Sequence, residues 1–264
     1  VSQVDQFALK GGTAINLFWR NFPRLSVDID LTYVPIKNRE NSLNDIRYGI
    51  EYIANIVSNR FTGVKVHKIK SGGTISKLLI ALKNTRVKLE VNTVMRGTLF
   101  KTVEKELVKE IQDEFELFTA IHTLSLEDLY AGKLCAALDR QHPRDLFDIK
   151  LLFKNEGLTN KIIVAFIGYL ISHPRPLNEL INPNPVNLEK VYKTEFTGMT
   201  NQSISITELK NIQHSLPNSI LNKFTGNQKE FLLSFQQAKP KWNLIPVDHL
   251  KKLPAVKWKL MNIR

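Results

Sequence analysis

Asp28 and Asp30 stand two residues apart in Val27-Asp28-Ile29-Asp30-Leu31-Thr32-Tyr33, a run that alternates apolar and polar side chains. A two-residue period is that of a strand, on which alternate side chains leave the same face. Both carboxylates then project together, about 7 Å apart at the backbone. Val27, Ile29 and Leu31 would anchor the opposite face in a core. Paired carboxylates stay ionised only beside a cation. A divalent ion with oxygen preference suits them, and magnesium takes one or two protein carboxylates plus substrate phosphates. Asp-x-Asp alone is a weak signal, since a solvated acidic strand reads the same way. Glu90 strengthens it, because Val87-Lys88-Leu89-Glu90-Val91 alternates too. If that strand neighbours the first, three carboxylates converge as the ligand set of a two-metal centre. The plain alternative is a surface pairing of Glu90 with Lys88 or Lys70.

Gly11-Gly12-Thr13 follows the short apolar run Phe7-Ala8-Leu9-Lys10 and precedes a helical pattern from Thr13 to Trp19. Glycines at such a junction let backbone approach a phosphate, and a helix N-terminus presents unpaired amides. Thr13 could add a hydroxyl. The spacing is not that of a Walker loop, and Gly-Gly by itself is a weak pattern.

The elements that must position these residues fall into two halves. Ser42 to Asn59 reads as a helix, with Ile46, Ile50, Ile53 and Val57 on one stripe. Runs at 62–70, 74–83 and 86–94 read as an antiparallel meander, with Ser71-Gly72-Gly73 as a turn. Helices are expected afterwards at 125–140, 144–155, 161–172, 187–196, 205–214, 226–238 and 254–263, with a Pro/Asn-rich loop at 174–186. The expected division is 1–118 for a mixed α/β domain and 119–264 for a helical one.

The formal charge is +12, and the residues from Thr159 onward hold 14 basic side chains against 6 acidic ones. Such a surface concentrates polyanions, nucleic acid above all, although solubilisation or anionic lipid would also account for it. A single cysteine, Cys135, excludes an internal disulfide, fits a reducing compartment and reads as core rather than nucleophile. The six histidines have no zinc-ligand spacing with it. No apolar run reaches the roughly 18 residues of a membrane span. The cytoplasm is the default location, with no membrane partner. The missing initiator Met suggests a trimmed start.

Gly-Gly, then 15 intervening residues, then Asp-Ile-Asp, then a later apolar-Glu-apolar strand resembles the polymerase-β-type nucleotidyltransferase superfamily. The stretch KGGTAINLFWRNFPRLSVDIDL is similar to the AbiEii-like branch, toxins of bacterial abortive-infection and type IV toxin–antitoxin pairs. That branch shows Gly-Gly-Thr-Ala, Arg-x-Ser-x-Asp-x-Asp, a helical Lys and a downstream Arg/Lys-Asp-x-x-Asp. Here these match Gly11 to Ala14, Arg24 to Asp30, Lys133, and Arg144-Asp145-Leu146-Phe147-Asp148. The likeness covers about residues 7–155. The family often carries a helix before the Gly-Gly strand, and six residues precede Phe7 here.

The resemblance implies an α+β fold: a nucleotidyltransferase domain with a mixed, mostly antiparallel sheet, then a helical C-terminal domain. It implies transfer of a nucleotide from a nucleoside triphosphate to an acceptor, with magnesium, or alternatively manganese, held by Asp28, Asp30 and Glu90. It places Gly11, Gly12, Thr13, Arg24, Ser26, Lys133, Arg144 and Asp145 at the nucleotide, and Lys133 and Asp148 among the catalytic residues. Lys133 could neutralise the triphosphate or snorkel at the surface. Asp145 and Asp148, three apart on one helix face, either orient Lys133 or Arg144 or act on the nucleotide. Ser26 bonds phosphate or caps the strand. In related toxins the acceptor can be the 3′ end of tRNA, and a cognate antitoxin is the expected partner. An aminoglycoside-like small molecule or a protein hydroxyl is the alternative acceptor. A catalytically silent RNA- or partner-binding module is the alternative class. The basic C-terminal half favours RNA over a cationic small molecule.

Overall fold

The computed structural model describes residues 1–26 and 28–263. Val27, assigned above to the core-facing side of its strand, lies outside the described residues. The chain divides into two compact units, Val1–Ser125 and Leu126–Arg264.

The first unit runs β1 (Phe7–Lys10), α1 (Gly11–Ala14), a π-helical turn (Ile15–Trp19), β2 (Ile29–Tyr33) and α2 (Arg39–Arg60). It continues through β3 (Lys65–Ser71), β4 (Thr74–Leu82), β5 (Thr85–Asn92), β6 (Val103–Glu106), α3 (Lys109–Phe115) and β7 (Ala120–Thr123). Among the described residues the strands form one sheet, ordered β3-β4-β5-β2-β1-β7-β6. Neighbours run antiparallel except β2 with β5 and β1 with β7. The sheet is therefore mixed and mostly antiparallel, as the α+β reading requires.

Burial follows the strand period. Leu31, Leu78, Leu89 and Val91 are buried, whereas Asp30, Lys77, Lys88 and Glu90 are not. Ile29 is only half-buried. The α2 helix covers β4 with Ile46, Ile50 and Ile53 buried, and the Thr74 hydroxyl donates to the Leu43 carbonyl at 3.0 Å. Asn38 caps that helix by accepting from the Asn41 amide at 2.8 Å, which supplies one of the donors a helix N-terminus leaves open.

The helix expected from Thr13 begins at Gly11 and widens into a π-turn at Ile15, a form that occurs mostly as single turns. Between the meander and the helix expected at 125, where the sequence marks no element, lie β6, α3 and β7. These elements are short and carry many charges, so they lack the apolar period that marks longer ones. β7 earns its place by pairing, with Leu9 opposite Thr123 and β6 along its other edge.

The second unit is helical: α4 (Leu126–Asp139), α5 (Pro143–Asn155), α6 (Asn160–Leu170), α7 (Leu177–Ile181) and α8 (Glu189–Glu195), followed by α9 (Ile206–Leu221), α10 (Gly226–Gln236) and α11 (Pro254–Ile263). Ile162, Ile163, Val164, Phe166 and Ile167 bury α6 nearly all round, which marks a helix at the centre of a core. It lies against α4. Two boundaries differ from the sequence expectation. The loop at 174–186 contains α7, and α9 continues past 214 through Pro217 to Leu221. Buried Leu216 and Ile220 hold its last turns despite the missing amide.

Candidate active site

Strand register settles what the carboxylates do to one another. Asp30 pairs with Glu90 across the parallel β2–β5 junction, and Lys10 pairs with Asp30 on the other side. Lys77 pairs with Glu90 from β4. Paired residues share a face, so Lys10, Asp30, Glu90 and Lys77 form one row across four strands. Asp28 and Lys88 lie two residues along on the same face. Lys88 Nζ is 3.3 Å from Asp28 and 3.6 Å from Glu90, and Lys77 Nζ is 3.2 Å from Glu90. Asp28 and Glu90 already share one cation, the Lys88 ammonium.

The charges register this crowding. Burial pulls the Lys10 ammonium below its ordinary range, although Asp30 and Glu90 pull it back. For Lys88, burial also acts downward, but Asp28, Asp30 and Glu90 outweigh it and raise its pKa. Beside the row lies a polar recess of about 190 Å³ lined by Lys10, Asp30, Ser71, Glu90, Asn92 and Thr93.

The donor set fits a divalent ion: three hard carboxylates on adjoining strands, two of them drawn to one positive charge. As the side chains stand, no three acidic, histidine or cysteine groups among the described residues converge on one point. Lys88 stands between Asp28 and Glu90. Both of those carboxylates are partly open to solvent, where an ion pair with lysine contributes little.

The Gly-Gly turn meets this row directly. Gly11 has φ +72°, and a Cβ there would lie 3.0 Å from Asp30 Oδ2. A Cβ on Gly12 would lie 2.7 Å from an Arg24 Nη and 2.9 Å from Ser26 Oγ. A methyl group at Gly12 would displace Arg24 or Ser26, and one at Gly11 would crowd the Asp30 carboxylate on a left-handed backbone. Thr13 Oγ1 is 3.0 Å from Ser26 Oγ and donates to the Asp28 carbonyl. Arg24 is buried and donates to the Leu25 carbonyl at 2.9 Å. Gly11, Gly12, Thr13, Arg24, Ser26, Asp28 and Asp30 thus gather within one small region of the first unit.

In the helical unit Lys133 is 8 % exposed in its side chain, which rules out a snorkelling surface lysine. Its Nζ is 2.9 Å from Asp145 and 2.8 Å from Asp148, both fully buried. Arg140 adds two bonds to Asp145, at 2.6 and 3.0 Å. Burial alone would raise the Asp145 pKa, but Lys133 and Arg140 drive it far below the usual carboxylate range. The i, i+3 spacing of Asp145 and Asp148 lets both reach one ammonium. Arg144 lies at the start of α5, where His142 Nδ1 accepts from the Arg144 amide at 3.1 Å.

Sequence reasoning passed over Lys10 and Lys77. Alternation could have placed Lys10 on the Asp30 face, but only once β1 was known to pair with β2. Among the basic residues of the C-terminal half, Lys259 stands apart. Lys259 is 6 % exposed, with Nζ donating to the Pro174 and Arg175 carbonyls at 3.1 and 2.6 Å, so it is a structural tie rather than a surface charge. Cys135 is buried, and burial raises its thiol pKa, as suits a core residue.

The fold is that of a nucleotidyltransferase toxin. It superposes on MenT4, a nucleotidyltransferase toxin of Mycobacterium tuberculosis H37Rv, with a TM-score of 0.62 over 98% of this chain and 85% of that one, at 12% identity. No curated protein sequence matches the chain. Residues 1–245 match the family described as nucleotidyl transferase AbiEii toxin, type IV TA system, and the chain belongs to that family. Membership brings a nucleotide substrate and an antitoxin partner, and enzymes of this superfamily generally use divalent metals. No helix among the described residues is long and apolar enough to cross a membrane.

Proposed function

We propose that this toxin transfers a nucleotide from a nucleoside triphosphate to RNA, with the 3′ end of tRNA as acceptor, in a magnesium-dependent reaction. The supporting observation is the Asp30–Glu90 register with Asp28 beside it, next to two glycines packed against Asp30 and against Arg24 and Ser26. Asp28, Asp30 and Glu90 hold the ion, or manganese in its place. When bound, the ion supplies Lewis-acid stabilisation of phosphoryl charge. Gly11 and Gly12 admit a phosphate close to the backbone, and Thr13, Ser26 and Arg24 line that approach as polar donors. Lys133 carries positive charge for the triphosphate, Asp145 and Asp148 fix its position, and Arg144 adds a second cation. The helical unit, with its excess of basic residues, is assigned the acceptor.

The test is direct. The protein is incubated with magnesium, each labelled nucleoside triphosphate in turn, and total cellular RNA. Label in RNA of tRNA size, lost on adding chelator, is the expected result. Label appearing only in protein or a small molecule would transfer the reading to another acceptor. Label that survives chelation would remove the metal.

A further inference from the structure

The sheet face that carries the carboxylates continues away from them, and its character changes. Two further rows follow the Lys10–Asp30–Glu90–Lys77 row. In the first, Lys88 pairs with Leu79 and Leu79 with His67. In the second, Arg86 pairs with Ala81 and Ala81 with Lys65. Rows are about 6.6 Å apart and strands about 4.8 Å, so Lys65 lies roughly 16 Å from Glu90 along the surface.

This face is open. Lys65, His67 and Arg86 are exposed, and Leu79 is 42% exposed, whereas Ser76 and Leu78 on the opposite face of β4 are buried. Lys77 and Lys88 are paired with Glu90 and Asp28, and past them the three strands carry Arg86, His67 and Lys65 on this face with no acid among them. Lysine on β3 alone would have a simpler explanation, because charge on an edge strand blocks unwanted pairing. That explanation does not reach Lys77, which sits on β4 between β3 and β5. Arg86 and Lys88 lie on the part of β5 that precedes its pairing with β2, which begins at Leu89. Among the described residues of these rows the face carries no Phe, Tyr or Trp, so it offers chiefly charge to a phosphate chain.

We propose that the β3–β4–β5 face is a track for the RNA backbone, leading to the carboxylate row and contacting phosphates without reading sequence. This rests on the reading that the acceptor is RNA, and it adds a binding surface in the first unit to the basic helices of the second. Lys77 and Lys88 join the track to the carboxylates, and Arg86, His67 and Lys65 form its outer part.

The test uses the full chain and the double variant Lys65→Ala/Arg86→Ala, with Lys65→Arg/Arg86→Lys as the charge-conserving control. Both positions are exposed strand residues, and circular dichroism checks the fold. Binding of fluorescent tRNA is followed by anisotropy across a salt series, and transfer kinetics are measured against RNA and against the triphosphate. The alanine variant should lose roughly 1.4–1.8 from the slope of log K against log salt, since each lost phosphate contact removes 0.7–0.9. Its KM for RNA should rise about tenfold, its KM for the triphosphate should not move, and the control should behave as wild type. An unchanged slope and RNA KM would overturn the track, as would a rise in the triphosphate KM alone. Wild-type protein that labels RNA while the variant matches it would sink this inference and leave the RNA acceptor standing. Wild-type protein that neither binds nor labels RNA would sink both.

Discussion

Asp30 lies between Lys10 and Glu90 on its row, and Gly11 leaves its carboxylate the space a methyl group would take. Asp28→Ala or Asp30→Ala should therefore abolish nucleotide transfer while the thermal midpoint changes little, because ion pairs partly open to solvent contribute little to stability. Wild-type turnover in either variant would remove the carboxylate site. Asp145 makes the opposite case. Its carboxylate is buried with Lys133 and Arg140 against it. Asp145→Asn leaves Lys133 one partner short and should cost about 3–5 kcal/mol, read by denaturant unfolding. The pH dependence follows from its depressed pKa. The stabilisation is fully present above the unfolded carboxyl value of 3.8 and is lost as pH falls through the lower folded value. Acid unfolding of the wild type below pH 3.8 should accordingly be steeper than that of Asp145→Asn. Equal slopes would show that Asp145 is not held ionised by its neighbours.

Among the elements, the β1–α1 junction is the most constrained. β1 delivers Lys10 into the carboxylate row, and the next two residues turn the chain into a helix without side-chain volume. Gly12→Ala puts a methyl group against the buried Arg24 and against Ser26, an overpacking of about 1–3 kcal/mol. Gly11→Ala adds the strain of a left-handed backbone, about 1–2 kcal/mol. Both should also reduce transfer by raising the KM for the triphosphate, since the added methyl groups displace Asp30, Arg24 or Ser26, the groups proposed to meet the ion and the phosphates. Normal kinetics in a folded Gly12→Ala protein would separate the turn from the nucleotide.

For the whole molecule, charge is the property that both halves share unequally. The surface lysines of the helical unit, Lys190, Lys193, Lys251, Lys252 and Lys257, are exposed, whereas Lys259 is not. Neutralising Lys251, Lys252 and Lys257 together should weaken tRNA binding and flatten its salt dependence while sparing the triphosphate KM and the melting temperature. Lys259→Ala should do the reverse, lowering stability by leaving two carbonyl groups without their donor. A loss of RNA binding with unchanged stability in Lys259→Ala would contradict its role as a tie.

By itself the sequence determined the period-two runs, and with them the fact that Asp28 and Asp30 leave one side of a strand. It determined the long helices too, since α2, α4, α5 and α6 have apolar stripes or caps strong enough to read locally. The Gly-Gly-Thr-Ala and Arg-x-Ser-x-Asp-x-Asp motifs carried the family. Only the tertiary structure decided that β2 lies beside β5 with Asp30 opposite Glu90, because strand order and register depend on partners far apart in the chain. The same holds for β6 and β7, whose four residues each are too few for a period and become strands only by pairing. Lys133 and Lys259 make the point at single residues. The family motif singles out Lys133, whereas nothing local distinguishes Lys259 from the exposed Lys257, and neither helix says what meets its ammonium. Carboxylates on one helix and carbonyls of a distant loop take them out of water, and a buried charge persists only where such partners meet it.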